Sequence, residues 1–91
     1  MPSRVERSKR RAKGYGYCGE HFTEEDWLEL LEECGGRCLL CGATEDLSVD
    51  HVIPLCLGGA NTRDNLQVLC LGCNSRKSDA IADYRGQVLE A

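Results

Sequence analysis

Four residues in the second half of the chain have side chains suited to acid/base chemistry and metal binding: the pair Asp50-His51, then Asn65 and Asn74. An imidazole can take a proton from water near neutral pH. Carboxylate and amide oxygens are the ligands that Mg²⁺ and Mn²⁺ prefer, and two such ligands leave most of an octahedral shell open. A base, a cation and a water are what hydrolysis of a phosphodiester requires.

Four of the seven cysteines form two Cys-x2-Cys pairs, Cys38 with Cys41 and Cys70 with Cys73. Thiolates at this spacing can hold one Zn²⁺ tetrahedrally. The 28 residues between the pairs exceed the roughly 15 to 20 usual in compact four-cysteine sites, so we expect that segment to be ordered itself. In a 91-residue chain the core is small, and structural zinc is expected to add stability. The cysteines alone do not distinguish an enzyme from a zinc ribbon that binds a partner.

The segment from Cys38 to Lys77 resembles the signature of the HNH endonucleases. The matching residues are Asp50-His51-x-Ile53-Pro54-Leu55, Gly58-Gly59, Asn65-Leu66-Gln67-x-Leu69-Cys70-x-x-Cys73-Asn74 and Lys77. The resemblance implies a ββα-metal element that cuts one DNA strand and leaves 5′-phosphate and 3′-hydroxyl ends. It assigns His51 as the base that activates water and Asp50 as a ligand of the catalytic cation. It assigns Asn65 to bracing the loop by hydrogen bonds, so that the histidine is oriented.

The last motif position is Asn74, where the family often has histidine. Asparagine also occurs there, notably in phage junction-resolving nucleases with a similar four-cysteine zinc site. Because an amide oxygen replaces an imidazole nitrogen, we expect Asp50 and Asn74 to favour Mg²⁺ or Mn²⁺ over softer metals.

Positive charge is concentrated at the start of the chain. Residues 1–13 hold six basic residues against one acid, a charge of +5. Because the net charge of the chain is −4, the other 78 residues carry −9. We expect a disordered basic arm that contacts DNA phosphates, the alternative being a merely solubilising tail. Arg76, Lys77 and Arg63 are further predicted phosphate contacts, with a solvated surface as the alternative.

The pattern ahead of the cysteines predicts an amphipathic helix from about Glu24 to Cys34. Thr23 and Asp26 can form a capping box at its start, and Gly35-Gly36 ends it. Its apolar stripe is predicted to comprise Trp27, Leu28, Leu30, Leu31 and Cys34. Its six acidic residues predict an outer face that points away from DNA.

The following segment predicts strand, loop, strand and helix: Leu47 to His51, Val52 to Asn65, Leu66 to Leu69, and Asn74 to about Tyr84 with Ile81 and Tyr84 towards the core. Neighbouring strand residues point to opposite faces, so the strand must end or twist if Asp50 and His51 are to reach one phosphate. The predicted fold is α+β, a small zinc-stapled domain with a central ββα-metal element preceded by an amphipathic helix.

The predicted organisation has four parts: a basic arm at 1–13, a connector and helix at 14–36, the zinc-bound nuclease core at 37–85 and a tail at 86–91. No apolar run approaches the roughly 20 residues of a membrane-spanning helix, and no secretory signal is evident. We expect a cytoplasmic protein without membrane contact. It is expected to be a monomer or a homodimer, and one alternative is that it acts within a larger phage or restriction assembly.

These patterns predict a metal-dependent DNA endonuclease. Structural Zn²⁺ is predicted on the four paired cysteines and a catalytic Mg²⁺ or Mn²⁺ on Asp50 and Asn74. A single site is expected to nick one strand. The alternative is a non-catalytic zinc-ribbon module that binds nucleic acid or protein.

Overall fold

The computed structural model describes residues 3–85 and has an α+β fold, as predicted. Its helices and strands are α1 (Arg4–Gly14), α2 (Glu24–Glu33), β1 (Leu47–His51), β2 (Leu66–Cys70) and α3 (Leu71–Lys77). Two short 3-10 turns, Leu55–Leu57 and Arg63–Asn65, lie in the loop between the strands. None of the helices in the described range is both long and apolar enough to cross a membrane. The predicted tail at 86–91 lies outside the described residues.

The strands β1 and β2 form an antiparallel hairpin in which Asp50 lies opposite Gln67 and His51 opposite Leu66. One face of the hairpin packs on α1 and α2. The buried cluster on this face comprises Val5, Phe22, Trp27, Leu30, Leu66 and Val68. The other face contacts the paired cysteines and α3 through Leu69. Successive residues of β2, Val68 and Leu69, therefore lie on opposite faces of the hairpin.

Helix α2 begins with the predicted capping box. The Thr23 hydroxyl accepts a hydrogen bond from the Asp26 backbone N–H, and the Asp26 carboxylate accepts one from the Thr23 N–H. The helix ends at Glu33, and Cys34 is its C-cap. The predicted apolar stripe is wrong at Leu28, which is 61% exposed.

The predicted disorder of the basic arm is wrong over most of its length, because residues 4–14 form helix α1. The Ser3 hydroxyl caps the helix by accepting from the Glu6 N–H. Val5, Ser8 and Ala12, spaced by three and four residues, form a narrow buried stripe on one face. This stripe docks the helix on the core and leaves its basic residues at the surface.

The last helix lies earlier in the chain than predicted. It spans Leu71–Lys77, and the thiol of its N-cap, Cys70, accepts from the Cys73 N–H. The helix ends because Ser78 has a positive φ of 52°, which a continuing helix does not allow. As a result Ile81 is 63% exposed instead of facing the core, while Tyr84 is half-buried beside the cysteines.

Candidate active site and metal centre

The Sγ atoms of Cys38, Cys41, Cys70 and Cys73 all lie within 4.8 Å of one another. The distance between the Cys41 and Cys70 sulfurs is 3.7 Å. A Zn–S bond of about 2.3 Å in tetrahedral geometry implies sulfurs roughly 3.8 Å apart. The four cysteines therefore form a cluster that is compatible with a structural zinc site.

Backbone N–H groups point at these sulfurs. Leu40 and Cys41 both donate to Cys38 Sγ at 3.4 Å, and the Cys73 N–H donates to Cys70 Sγ at 3.5 Å. Burial raises the pKa of the Cys38 thiol, but the backbone donors outweigh burial and lower the pKa to about 6. These donors favour the thiolate, which is the form that binds a metal.

Negative charge at this cluster needs a counter-charge. The Arg76 guanidinium, 3.7 Å from Cys73 Sγ, lowers the pKa of that thiol, but burial and the other three sulfurs outweigh it and raise the pKa to about 12. Four thiolates so close together repel one another unless a cation lies among them. The donor set and its charge thus both fit Zn²⁺.

A second site lies at the edge of β1, where Asp50, His51 and Asn74 line one small cleft of about 60 Å³. Strand β1 contains both Asp50 and His51 and ends at His51, within the pair where an end or twist of the strand was expected. The two side chains have partners on different sides of the hairpin, but both border the cleft. The fold thus brings three of the four predicted site residues together.

The Asp50 carboxylate is only 4% exposed and is held by two neighbours. Its Oδ2 accepts a hydrogen bond from Gln67 Nε2 at 2.8 Å and lies 3.2 Å from Lys77 Nζ. Its Oδ1 has no hydrogen-bond partner within residues 3–85. One carboxylate oxygen is therefore committed to the protein and the other is left for a ligand.

Asn74 is oriented in a similar way from α3. Its Nδ2 donates to the Ser48 hydroxyl at 2.9 Å and to the Val49 carbonyl at 3.2 Å. The amide nitrogen is thus bound to β1, and in the described part of the chain the Oδ1 accepts no hydrogen bond. An asparagine held by its nitrogen offers its carbonyl oxygen to a cation, together with Asp50 Oδ1.

His51 is held by Asn61, a residue that belongs to none of the sequence motifs. The distance between His51 Nε2 and Asn61 Oδ1 is 2.7 Å. Because an amide oxygen only accepts hydrogen bonds, Nε2 must carry the proton, and in the neutral ring Nδ1 is then the basic nitrogen. Burial lowers the pKa of His51, and the positive charges of Arg11 and Lys77 lower it further. The hydrogen bond with Asn61 and the negative charge of Asp50 raise this pKa, but by less.

Asn61 is fully buried and links His51 to the N-terminal part of the chain. Its Oδ1 also accepts from the Ser8 hydroxyl of α1 at 2.7 Å, and its Nδ2 donates to His21 Nδ1 at 2.8 Å. His21, for which the sequence suggested no role, is therefore part of the same network. No motif pointed to Asn61 or Ser8, because their partners are 10 to 53 residues away in sequence.

Asn65 lies outside the cleft and connects the two ends of the loop between the strands. Its Oδ1 accepts from the Ile53 N–H at 3.0 Å, and its Nδ2 donates to the carbonyls of Ile53 and Ala60 at 3.0 and 2.8 Å. Gly59 is required beside this brace, because a Cβ there would overlap the Ile53 carbonyl oxygen. The loop that carries Asn61 is thus tied to the end of β1.

One of the three predicted phosphate contacts outside the arm, Lys77, is wrong, and a second, Arg63, is paired with acidic residues of the protein. Lys77 is buried, and its Nζ donates to the His51 carbonyl at 3.0 Å besides pairing with Asp50. Arg63 pairs with Glu29 and Glu33 of α2, so it ties the loop to that helix. Arg76 is exposed and lies against Cys73, at the cysteine cluster rather than in the cleft.

Comparison with known proteins identifies the same region. A family model described as HNH endonuclease matches residues 38–89, which is more than half of the chain. Over an alignment of 56 residues the chain is 39% identical to the CRISPR-associated endonuclease Cas9 of Actinomyces naeslundii, and the match covers 57% of the chain but 5% of that protein. The matched region contains both cysteine pairs and the residues that line the cleft at β1 and α3. The chain belongs to the HNH endonuclease family.

Proposed function

We propose that this protein is a metal-dependent DNA endonuclease that nicks one strand per site. The observation that carries the proposal is the shared cleft of Asp50, His51 and Asn74, whose His51 Nδ1, Asp50 Oδ1 and Asn74 Oδ1 atoms have no hydrogen-bond partner within residues 3–85. Belonging to the HNH endonuclease family supports a nucleic acid as the substrate. The active-site cation, the nicking and the chemistry of the ends belong to the proposal.

His51 is the proposed general base. Its Nε2–H is held by Asn61, so Nδ1 can take a proton from a water molecule, and the ring becomes a cation that the same hydrogen bond stabilises. The nearby charge of Asp50 also favours the protonated ring. Asn65 acts on the base indirectly, because it fixes the loop that carries Asn61.

Asp50 and Asn74 are the residues that would hold Mg²⁺ or Mn²⁺, each through one oxygen. When bound, such a cation neutralises charge on the scissile phosphate and on the departing 3′-oxygen. The buried pairing with Lys77 already compensates the charge of Asp50. We therefore expect weak binding of Mg²⁺ by the free protein and tighter binding once a DNA phosphate adds negative charge to the site.

Zn²⁺ at the four cysteines has a structural role in this proposal. The first pair precedes β1 and the second spans the junction of β2 and α3, so one ion would tie the two strands together at the open end of the hairpin that carries the site. All four positions of a tetrahedral ion are filled by sulfur, which leaves no position for water. Catalysis is therefore assigned to the cleft and not to the cysteine cluster.

A supercoiled-plasmid assay with the zinc-loaded protein tests the proposal. We expect Mg²⁺- or Mn²⁺-dependent conversion to the nicked circle, with a rate at least about 100-fold lower for His51→Ala, since a general base commonly contributes 10²- to 10⁴-fold. DNA ligase should seal the product without prior kinase treatment, because 5′-phosphate and 3′-hydroxyl ends are proposed. Nicking by His51→Ala at the wild-type rate would refute the assigned base.

The cation ligand is tested by Asp50→Asn, which keeps an oxygen for Gln67 and Lys77 but removes the charge. It should raise the Mg²⁺ concentration needed for half-maximal nicking, whereas the exposed Glu45→Gln, with the same loss of charge outside the cleft, should not. If folded, zinc-loaded wild type cleaves no DNA with any cation, the chain is instead a zinc-dependent binding module.

A further inference from the structure

We propose that the groove between helix α1 and strand β1 is a binding track for the phosphates of the DNA strand, with Arg7 and Arg11 as its contacts. This inference rests on the proposed nuclease function and adds to it the surface that guides the substrate. It also replaces the two predicted phosphate contacts, Lys77 and Arg63, whose charges are used within the protein.

The groove has a volume of about 590 Å³ and leads to the candidate active site. Arg4, Arg7 and Arg11 line one wall, and residues 46–49 of the β1 segment line the other. His51 and Asn74 also line the groove, and both line the small cleft, as does Arg11. A strand lying in the groove would therefore pass directly into the cleft.

The spacing of the arginines fits an extended polyanion. Positions 4, 7 and 11 fall on one face of a helix, and Arg7 and Arg11 are about 6 Å apart along its axis. Both side chains are exposed, and within residues 3–85 neither forms an ion pair. Their charges are therefore available to phosphates.

The charge of the groove contrasts with that of the rest of the chain. Its lining contains three arginines against one acid, Asp46, whereas the chain outside residues 1–13 carries −9. The Asp50 carboxylate in the neighbouring cleft is paired with Lys77. A polyanion is thus attracted to this groove and repelled by the acidic outer face of α2.

The position of α1 is fixed, so the arginines are presented in one place. The buried stripe of Val5, Ser8 and Ala12 docks the helix, and the guanidinium of Arg4 lies 4.2 Å from the ring centre of Trp27. Arg4 thus contributes to packing, and it is left out of the test for that reason.

The basic residues of α1 supply a matched control. Arg10 and Lys13 are exposed and carry the same charge on the same helix, but they do not line the groove. We would compare Arg7→Gln/Arg11→Gln with Arg10→Gln/Lys13→Gln, each in the zinc-loaded His51→Ala background, so that DNA is bound but not cut. Glutamine keeps the helix propensity of the replaced residues, and circular dichroism verifies folding.

Binding of a fluorescent DNA duplex is measured by anisotropy over a range of salt concentrations. The groove pair should weaken binding about tenfold and reduce the slope of log K against log salt by roughly 1.8, or about 0.9 for each lost phosphate contact. The control pair should change both quantities much less. Equal effects of the two pairs, or none from the groove pair, would overturn the proposed track.

This test is independent of cleavage. A wild-type protein that nicks plasmid while the two pairs bind DNA equally would leave the nuclease proposal standing and remove the track. Conversely, a groove-specific loss of binding in a protein that never cleaves would retain the track and remove the nuclease.

Discussion

The hydrogen bond between His51 and Asn61 decides which imidazole nitrogen can act as a base. Asn61 Oδ1 accepts from both His51 Nε2 and the Ser8 hydroxyl, while its Nδ2 is used by His21. These contacts fix the orientation of the amide, and the amide in turn fixes the tautomer of the histidine. Asn61 is therefore a positioning residue for the proposed base.

Substituting Asn61 tests this role. Asn61→Ala removes the acceptor from Nε2, so we expect turnover to fall by at least about tenfold beyond any loss from unfolding, because the tautomer and ring orientation are no longer fixed. Buried partners left without hydrogen bonds should also cost roughly 1 to 3 kcal/mol in stability. NMR of the imidazole nitrogens should detect a mixture of tautomers, and an unchanged Nε2–H tautomer would contradict the argument.

The conservative variant Asn61→Asp gives a different signature in the pH profile. A neutral His51 is needed as the base, and burial lowers its pKa, so wild-type nicking should rise with pH through a midpoint below 6.5. The introduced carboxylate would retain the acceptor and add a negative charge, which favours the protonated ring and moves this midpoint to higher pH. A purely structural role for Asn61 predicts no such movement.

The sequence revealed the residues of the motif but not how their charges are partnered. The types and order of Asp50, His51 and Asn74 led to the prediction that they act on one phosphate, and in the structure all three line one cleft. Lys77 was predicted to contact phosphate because the helix was expected to begin at Asn74, with Lys77 in its first turn. Helix α3 instead begins at Leu71, so Lys77 lies in the last turn and donates to the His51 carbonyl. Asn61 was missed because a lone asparagine after two glycines is typical of a turn.

At the scale of elements, the long loop between β1 and β2 is held in one conformation by hydrogen bonds and positions a residue of the site. Asn65 bonds to both Ile53 and Ala60, and the Val52 N–H donates to the Asn65 carbonyl at 2.9 Å. These bonds close the loop, which holds Asn61 against His51. Of the Gly58-Gly59 pair in the motif, Gly59 must lack a side chain because the backbone of Ile53 approaches it too closely.

Replacing this glycine should uncouple the loop from the strand. Gly59→Ala would force the Ile53 carbonyl and the Asn65 amide apart, with an expected loss of roughly 1 to 3 kcal/mol in stability and a larger relative loss of nicking. Gly14→Ala is the matched control, because a Cβ at Gly14 meets no atom within 4 Å. Chemical denaturation and the plasmid assay measure both effects. Equal stability and activity of the two variants would refute the close-approach argument.

The helices show which elements local sequence could predict. Helix α2 has a capping box and a strong apolar face, and its boundaries were predicted to within one residue. Helix α1 has only Val5, Ser8 and Ala12 on its buried face among many charges, so its composition is typical of disorder. Such a short helix is marginal alone, and docking on the core stabilises it through contacts that are distant in sequence.

At the scale of the whole molecule, two small clusters must hold one hairpin. The apolar cluster on the face towards α1 and α2 contains six buried residues, and the cluster on the other face consists largely of the cysteines themselves. Backbone bonds from Leu39 to Val68 and from Leu71 to Asp46 join the cysteine turns to the strands. The hairpin ends are therefore held mainly where the metal is proposed to bind.

A comparison of two exposed cysteines tests how far the fold depends on that metal. Cys41 belongs to the cluster and Cys18 does not, although both are solvent-exposed. If burial alone determined stability, Cys41→Ser and Cys18→Ser would each cost at most about 0.5 kcal/mol. Structural zinc is commonly worth roughly 10 to 16 kcal/mol, which exceeds the stability expected of such a small core, so Cys41→Ser should lose zinc and cooperative thermal unfolding together.

Removing zinc from the wild type with a chelator should have the same effect, reversed by Zn²⁺ but not by Mg²⁺, because four thiolates do not suit a hard ion. Equal zinc content and equal melting of the two variants would mean that apolar packing alone holds the hairpin and the candidate active site.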